Sequence, residues 1–517
     1  MKASGRFDRH RRAALVALGI GAATVLAPRL ARASVPWGTS PLSVWPTPPD
    51  LKVLEIHLYG GVSMWETFYC RAPGAANRFR GFESEIPALN FAGCDPFIDP
   101  APAPFANDAL GHPIHFGPAT KPLWKPQILD KTRLVVMKHE FQPHEAAIPL
   151  TLTGQRLGSP KLAGLGAAIQ HHHVSKALLS GSLPVDAQPF AYVLLPNAGL
   201  LDSDNVRVLS AVGMHPAYAR PLTLKVSDSL ATELALFPRT GLRSQRDALL
   251  QRYVDQYSAA LRHPSMVAAA PPGRTRSAGF GAFEFGTKMV MGAPSLHSML
   301  TDPTSPASQP IPVEADCPDV FPSMFANTTA HSIKLAAYLL SQPGLNAPRY
   351  VGVVDSGMVQ TSGAAYDTHG NGNHGITALN LYNVCKTLRT LVDAGTLNLA
   401  NTMVVLSTEF GRTPQRTGSS GRDHWPEGFC HVLIGGPVTR GISGALYDAN
   451  FSGTPVGLDG YAAPSDSFTP QDMRAAVLTA CGILPFENEL YGVSDISLTG
   501  ATHEDLMHAL KSRVLGV

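Results

Sequence analysis

Short apolar runs alternate with amphipathic stretches through the second half of this chain. Runs typical of buried strands occupy 349–354 and 402–408, and apolar residues recur at helical spacing over 331–341 and 374–394. Strands and helices that alternate in this way are typical of a parallel sheet with helices packed against it. The pattern therefore predicts an α/β fold with a mostly parallel sheet and helices on both of its faces.

The remaining pattern predicts further elements along the chain. Four more apolar runs are predicted strands, at 52–59, 133–138, 191–195 and 430–434. Four more segments are predicted helices, at 161–177, 242–261, 469–481 and 502–512. Proline and glycine are frequent between residue 60 and about residue 120, and this predicts a long loop.

The amino-terminal pattern is typical of an export signal. Three arginines, Arg9, Arg11 and Arg12, precede an apolar run at 13–27, and small residues lead to a cleavage position after Ala33. The adjacent Arg11 and Arg12 favour the twin-arginine route. A general secretory signal is the alternative. A membrane anchor is disfavoured because the run is shorter than the ~20 residues that a helix needs to span a bilayer.

These features divide the chain into three segments. We predict an export signal at 1–33, a Pro-rich linker at 34–50 and a single large α/β domain with long loop insertions at 51–517. After cleavage, we expect the mature chain in the periplasm or outside the cell. Its export translocon would be a partner, and the mature chain would have no transmembrane segment.

Composition narrows the classes of function. Hydrophobic residues make up 44% of the 517 positions and charged residues 15%, so the chain can bury a large core. The net charge of +2 gives no indication that nucleic acid or an anionic membrane surface is a partner. The six cysteines contain no Cys-x-x-Cys pair, which argues against a zinc site built from thiolates.

Three clusters of acidic and histidine residues lie where predicted strands give way to loops. Asp367 with His369 forms the first, Glu409 the second, and Asp423 with His424 the third. Ligand sites of α/β proteins form at the carboxyl ends of strands, so these side chains are candidate metal ligands. Carboxylates and imidazoles suit one or two divalent ions, zinc first, with manganese or iron as alternatives.

Each cluster also has a structural explanation. Asp367 could form an Asx-turn before the following helix, Glu409 could pair with Arg412, and His424 could lie in a surface loop. The metal hypothesis therefore depends on the clusters meeting in space.

Two earlier segments add candidates for catalysis. Gly60 and Gly61 end the first predicted strand, and Ser63 follows as a nucleophile or anion-binding hydroxyl, with Glu66 as a nearby carboxylate. An ordinary turn is the alternative explanation. His144 follows the strand at 133–138 and is a candidate ligand or proton carrier, weighed equally against a structural role. A Gly-x-Ser-x-Gly elbow is absent, which disfavours an α/β-hydrolase nucleophile.

These motifs resemble a bacterial family catalogued as domain of unknown function fifteen-oh-one. Its members are exported and are related to the alkaline phosphatase and sulfatase superfamily. The resemblance covers most of the chain after residue 50. Within residues 60–69 the chain departs from the family pattern, because Val62, Glu66 and Tyr69 replace a proline and two aspartates. The matching segments are Gly60–Phe68, His144 with Leu152–Gly154, Asp367–Asn371, Glu409–Pro414 and Gly421–Pro426.

The resemblance implies an alkaline-phosphatase-like fold with a bimetal site. Asp367, His369 and His424 would hold one ion, and Glu409, with Glu66 and Ser63, would hold the other. Ser63 would attack the substrate, His144 would assist proton transfer, and Arg412 would bind the anion.

The function implied is that of an exported metal-dependent hydrolase acting on a phosphate or sulfate ester, either a small molecule or a polymer. The alternative is a non-catalytic periplasmic or surface protein that binds a metal, an anion or a polymer on the same scaffold.

Overall fold

A computed structural model describes most of the chain from residue 51 onward. The export signal and linker predicted at 1–50 lie outside the described residues, as does most of the helix predicted at 242–261. The described ranges are 51–70, 102–159, 161–179, 191–196, 221–226, 328–343, 347–357, 366–367, 369, 374–413, 421–446, 466–486 and 490–517, with single positions at 245–256 and at 304.

An eight-stranded sheet forms the centre of the fold, in the order β12-β4-β11-β8-β1-β7-β5-β6. Strand β11 runs antiparallel to both of its neighbours, and the other pairs in this sheet are parallel. Its strands are β1 (Lys52–Leu58), β4 (Thr132–Met137), β5 (Tyr192–Pro196), β6 (Leu222–Val226), β7 (Tyr350–Asp355), β8 (Thr402–Ser407), β11 (Phe429–Gly435) and β12 (Gly441–Ser443). Two small ribbons pair β2 (Ala103–Asn107) with β3 (Pro113–Phe116) and β9 (Gly411–Arg412) with β10 (His424–Trp425).

Seven α-helices can be given bounds within the described ranges, and the described positions at 245–256 are helical as well. The seven are α1 (Pro126–Leu129), α2 (His144–Thr153), α3 (Leu165–Leu179), α4 (Thr328–Ser341), α5 (His374–Asp393), α6 (Pro470–Ala480) and α7 (His503–Ala509). Short 3₁₀ segments occupy Pro118–Leu123 and Val493–Asp495, and a π-helical turn, Leu510–Leu515, extends α7. None of the helices that the structure describes is both long and apolar enough to cross a membrane.

Two side chains of β1 contact helices that lie on opposite faces of the sheet. Lys52 donates from Nζ to the carbonyl of Leu340 in α4. Glu55 pairs with Arg474 of α6, at 2.6 Å between Oε1 and Nη2. Residues at odd separation along a strand point to opposite faces, so α4 and α6 flank the sheet on its two sides. The predicted α/β fold with a mostly parallel sheet is confirmed.

The sheet is buried because its strands are apolar on both faces, as parallel strands covered by helices require. Every residue of β7, β8 and β11 is buried. Strand β1 departs from this composition at Glu55 and His57, which are each 1% exposed. Two buried polar groups on one face of a central strand indicate a polar network inside the core.

The structure contains elements before residue 154 that were not predicted. The predicted loop at 60–120 contains the β2–β3 ribbon. This ribbon can include Pro104 because it is separate from the main sheet and has only two strands. Helix α2 was not predicted, since Pro143 precedes it and Pro149 interrupts it. Residues 147–153 of α2 are all buried, and this packing stabilises a helix that its sequence alone disfavours.

Candidate metal centre

Strand directions bring the predicted clusters to one edge of the sheet. Strands β1, β4, β7 and β8 run in the same direction, so Gly60, His144, Asp367 and Glu409 all follow strands that end at this edge. Strand β11 runs in the opposite direction, so His424, which precedes it, also lies there. The convergence on which the metal hypothesis depends is present.

Four side chains at this edge could hold a metal ion. His144, Asp367, His369 and His424 each offer one donor atom, and these atoms all lie within 4.8 Å of one another. Nε2 of His369 is 2.8 Å from Nε2 of His424 and 3.1 Å from Oδ1 of Asp367. Nε2 of His144 is 3.8 Å from Oδ2 of Asp367. A tetrahedral ion with bonds of ~2.0–2.1 Å separates its ligand atoms by about 3.3 Å, so the group has suitable dimensions.

Glu409 lies behind His144 and outside the four-residue group. Its Oε1 accepts hydrogen bonds from Nδ1 of His144 and from the amide of Gly60, each at 2.7 Å. Because Nδ1 of His144 donates to Glu409, its Nε2 is the ring nitrogen that faces Asp367 and is placed to bind a metal. A carboxylate that orients a metal-binding histidine in this way is a recurrent feature of metal sites.

Charge and burial set the protonation of these groups. Burial alone would raise the pKa of Glu409, but His144 and His57 lower it to about 2. Burial acts to lower the pKa of His144, and the carboxylates of Glu409 and Asp367 outweigh it and raise the pKa. Burial, helped by the charge of Arg412, lowers the pKa of His424 to about 4, so this imidazole is neutral at pH 7 and able to ligate.

Arg412 holds the backbone around the group together. Its guanidinium donates to Oδ1 of Asp367 at 2.6 Å, to the carbonyl of Gly61 at 2.9 Å and to the carbonyl of Arg422 at 3.0 Å. It also donates to the carbonyl of Gly60. Four of the five donors of a guanidinium are therefore occupied, which leaves little capacity for a substrate anion. The role that the structure supports for Arg412 is to orient Asp367.

Phe410 packs against the imidazoles. Its ring centroid is 4.2 Å from that of His424 and 4.8 Å from that of His144. Gly61 (φ +85°) makes room for this ring, because a Cβ at that position would lie 2.6 Å from it. Gly60 (φ +118°) likewise lets the backbone of Asp367 approach, since a Cβ there would lie 2.4 Å from the Asp367 amide. The glycine pair thus serves close packing around the group.

The β9–β10 ribbon fixes His424. Arg412 and His424 are opposite each other in it, and the amide of Thr413 donates to the carbonyl of Asp423 at 2.9 Å. Asp423 is a neighbour of the group: its Oδ1 lies 3.2 Å from Nδ1 of His369, on the side of that ring away from Nε2. Asp423 can therefore orient His369 as Glu409 orients His144.

Ser63 and Glu66 form a separate buried cluster. Ser63 donates from Oγ to Glu66, and Arg422 donates to the other oxygen of that carboxylate. Ser63 is 2% exposed and Glu66 is 3% exposed. Neither residue belongs to the four-residue group. Their predicted roles as nucleophile and ligand stay predictions.

Sequence reasoning missed part of the surroundings. His57 on β1 lies 3.5 Å from Oε2 of Glu409, measured from Nε2, and Phe410 lines the ligands. The signal for His57 was present, since Glu55 and His57 alternate with apolar residues in an otherwise apolar strand. No comparable signal singles out Phe410.

We expect Glu409→Gln to weaken zinc binding by about 10–100-fold, the usual cost of altering an outer partner of a metal ligand. Glutamine keeps the shape but loses the charge that supports the imidazole of His144. Competitive titration with a chromogenic chelator would measure the affinity. Asp108→Asn is the matched control, because Asp108 is a buried carboxylate that contacts His112 at 3.1 Å outside the group. Equal affinities for Glu409→Gln and the unaltered protein would contradict the role given to Glu409.

The family comparison covers the part of the chain that holds most of the group. Residues 335–510 match the family model described as "Protein of unknown function (DUF1501)". The matched range includes Asp367, His369 and His424 but begins after His144 and Ser63. This match supports the family assignment drawn from the motifs. No curated protein matches the chain.

Proposed function

We propose that this protein binds a divalent transition-metal ion, zinc by preference, and uses it to hydrolyse a phosphate or sulfate ester. The observation that carries the proposal is the group of His144, Asp367, His369 and His424 at the carboxyl edge of the sheet. This edge is where α/β proteins build their ligand sites.

The donor chemistry favours a catalytic over a structural ion. Structural zinc sites are typically rich in cysteine, whereas histidine and carboxylate ligands are typical of catalytic ones. His369 is 45% exposed and Asp367 is 24% exposed, so the group is open to solvent on one side. Zinc can also expand to five ligands, so four protein donors leave room for a substrate atom.

When bound, a divalent ion in such a site supplies Lewis acidity, which polarises an ester oxygen and lowers the pKa of water. The protein's own contribution is orientation. Glu409 holds His144 with Nε2 inward, and Arg412 holds the carboxylate of Asp367. The protein thus holds the ligand atoms in fixed orientations around the metal.

The assignment to a phosphate or sulfate ester rests on the resemblance to the alkaline phosphatase superfamily. That resemblance implies a seryl nucleophile at Ser63. The burial of Ser63 and its hydrogen bond to Glu66 favour a different nucleophile, namely water, with Ser63 acting in packing.

A second function follows from the same observations. Four protein donors can complete a tetrahedral shell, and Arg412 is occupied by backbone carbonyls. A protein with these properties would bind zinc without turning over an ester, as the non-catalytic alternative requires.

Metal analysis and an ester panel test the proposal together. The purified mature protein is expected to contain about one equivalent of zinc by mass spectrometry and to hydrolyse aryl phosphates or aryl sulfates. Zinc with no turnover on either panel would favour the non-catalytic function. A protein that neither retains nor takes up Zn²⁺, Mn²⁺ or Fe²⁺ would overturn both.

We expect Ser63→Ala to retain ester hydrolysis and zinc affinity and to lose about 1 kcal/mol of stability, the usual contribution of one hydrogen bond. Removing a true seryl nucleophile costs about 10⁶ in kcat. Steady-state kinetics and urea unfolding would measure the two effects. A complete loss of turnover with unchanged zinc affinity would show that Ser63 is the nucleophile after all.

A further inference from the structure

Three hydrogen bonds close a ring where strands β1 and β7 end. The amide of Tyr59, the residue after β1, donates to the carbonyl of Asp355 at 3.1 Å. The amide of Tyr366 donates to the carbonyl of Tyr59, also at 3.1 Å. The hydroxyl of Tyr366 then donates back to Oδ2 of Asp355 at 2.6 Å. The ring therefore connects the last residue of β7 to the residue that precedes Asp367.

The carboxylate of Asp355 accepts two further hydrogen bonds. Its Oδ1 accepts from the hydroxyl of Thr329 at 2.8 Å and from the amide of Gly357 at 2.9 Å. Asp355 is fully buried, and no basic side chain in the described part of the chain forms an ion pair with it. A buried carboxylate without an opposite charge costs stability, and hydrogen bonds from protein donors offset part of that cost. One fixed side chain thus holds both Gly357 and Tyr366.

The ring acts on the backbone at Asp367, whereas Arg412 acts on its side chain. Tyr366 is fully buried, and Gly60 packs against it so closely that a Cβ there would lie 2.9 Å from the Tyr366 carbonyl carbon. The guanidinium of Arg412 donates to Oδ1 of Asp367. A planar peptide joins Tyr366 to Asp367, with Cα atoms ~3.8 Å apart, so a displacement of Tyr366 also displaces Asp367.

We propose that Asp355 and Tyr366 are positioning residues of the metal centre. Their hydrogen bond fixes the backbone at Asp367, and this places the carboxylate of Asp367 near the other three donors before an ion binds. Metal ligands have to be held to within ~0.5 Å of their productive geometry, so a loosened Tyr366 would weaken the site. The inference rests on the proposed function in one respect, namely that the four donors bind a metal.

Tyr366→Phe and Tyr350→Phe provide a matched test. Each removes a buried phenolic hydroxyl that donates to a buried carboxylate, Asp355 at 2.6 Å for Tyr366 and Glu55 at 2.8 Å for Tyr350. Tyr350 is the first residue of β7, at the opposite end of the strand from Asp355. Similar losses of stability in urea unfolding are expected from the two variants, so a difference at the metal centre comes from the ring.

The first measurement is amide hydrogen exchange in the metal-free protein, so it does not depend on zinc binding. Tyr366→Phe is expected to speed exchange of the amides at positions 59 and 366 by about tenfold, because a hydrogen bond to a charged group is lost and the ring opens more often. Tyr350→Phe is expected to leave these two amides unchanged.

The second measurement is zinc affinity by competitive titration. The affinity is expected to fall about tenfold in Tyr366→Phe and to stay unchanged in Tyr350→Phe. Thr329→Val is a further control, because it removes a donor from Oδ1 of the same carboxylate and leaves the ring closed. It is expected to change neither the exchange at positions 59 and 366 nor the zinc affinity.

The outcomes separate this inference from the proposed function. The inference is overturned if Tyr366→Phe leaves exchange unchanged, or if it binds zinc as tightly as the unaltered protein does. An equal loss of zinc affinity in Thr329→Val would also overturn it, because the ring would then not be the cause. If exchange rises as expected but even the unaltered protein binds no zinc, the proposed function fails, and the role of the ring in fixing Asp367 stands.

Discussion

His424→Ala is expected to lower the affinity for Zn²⁺ by more than about 100-fold, because even outer partners of a metal ligand cost 10–100-fold when altered. Nε2 of His424 lies 2.8 Å from Nε2 of His369, and its loss removes one of the four donors of the group. The low pKa of His424, about 4, means that this donor needs no deprotonation at neutral pH. Competitive titration and the metal content after dialysis would measure the loss.

The control for this prediction is a histidine in a similar contact elsewhere. His112 lies 3.1 Å from Asp108, as His369 lies from Asp367, but it belongs to the β2–β3 ribbon and not to the group. His112→Ala is expected to leave zinc affinity unchanged. If His424→Ala binds zinc as tightly as His112→Ala does, His424 is not a ligand and the proposed centre is wrong.

The sequence allowed the convergence of the group to be predicted, because strand ends in a parallel sheet meet at one edge. Asp367, His369 and His424 were identified on that basis. His144 was identified as well, but its place among the ligands depends on where α2 begins. This helix was not predicted, because Pro143 and Pro149 disfavour a helix there. Proximity to a strand end is thus predictable from pattern alone, whereas the identity of the donor atoms is not.

The roles of the residues that surround the four donors could not be predicted. Glu409 and Arg412 have the residue types of a ligand and an anion clamp, yet one supports His144 and the other holds backbone carbonyls. These roles depend on contacts between residues some 265 to 351 positions apart in sequence, which no local pattern encodes. The charged pair in the core, Glu55 with Arg474, spans 419 positions and was missed for the same reason.

Arg474→Met is expected to lower the free energy of unfolding by about 3–5 kcal/mol, because it leaves the carboxylate of Glu55 buried without its partner. Both residues are at most 1% exposed. The double variant Glu55→Gln/Arg474→Met is expected to recover most of this loss, since replacing both members of a buried pair is often nearly neutral. Arg513→Met is the control: its pair with Asp466 is largely solvent-exposed on the arginine side, so it should cost about 1 kcal/mol or less.

The pH dependence separates loss of the ion pair from simple loss of packing. Burial alone would raise the pKa of Glu55, but Arg474, with the hydroxyls of Ser407 and Tyr350, brings it below its usual value. A lowered carboxylate pKa stabilises the fold above the unfolded pKa of about 4.3, and this contribution is lost as the pH falls through the folded value. In Arg474→Met only the hydroxyls of Ser407 and Tyr350 still oppose the effect of burial, so the pKa of Glu55 rises. We expect that variant instead to gain stability as the pH falls towards about 4.3. Urea unfolding at pH 7 and pH 5 would measure the difference. An equal loss at both pH values would mean that Arg474 contributes packing and that Glu55 is neutral in the fold.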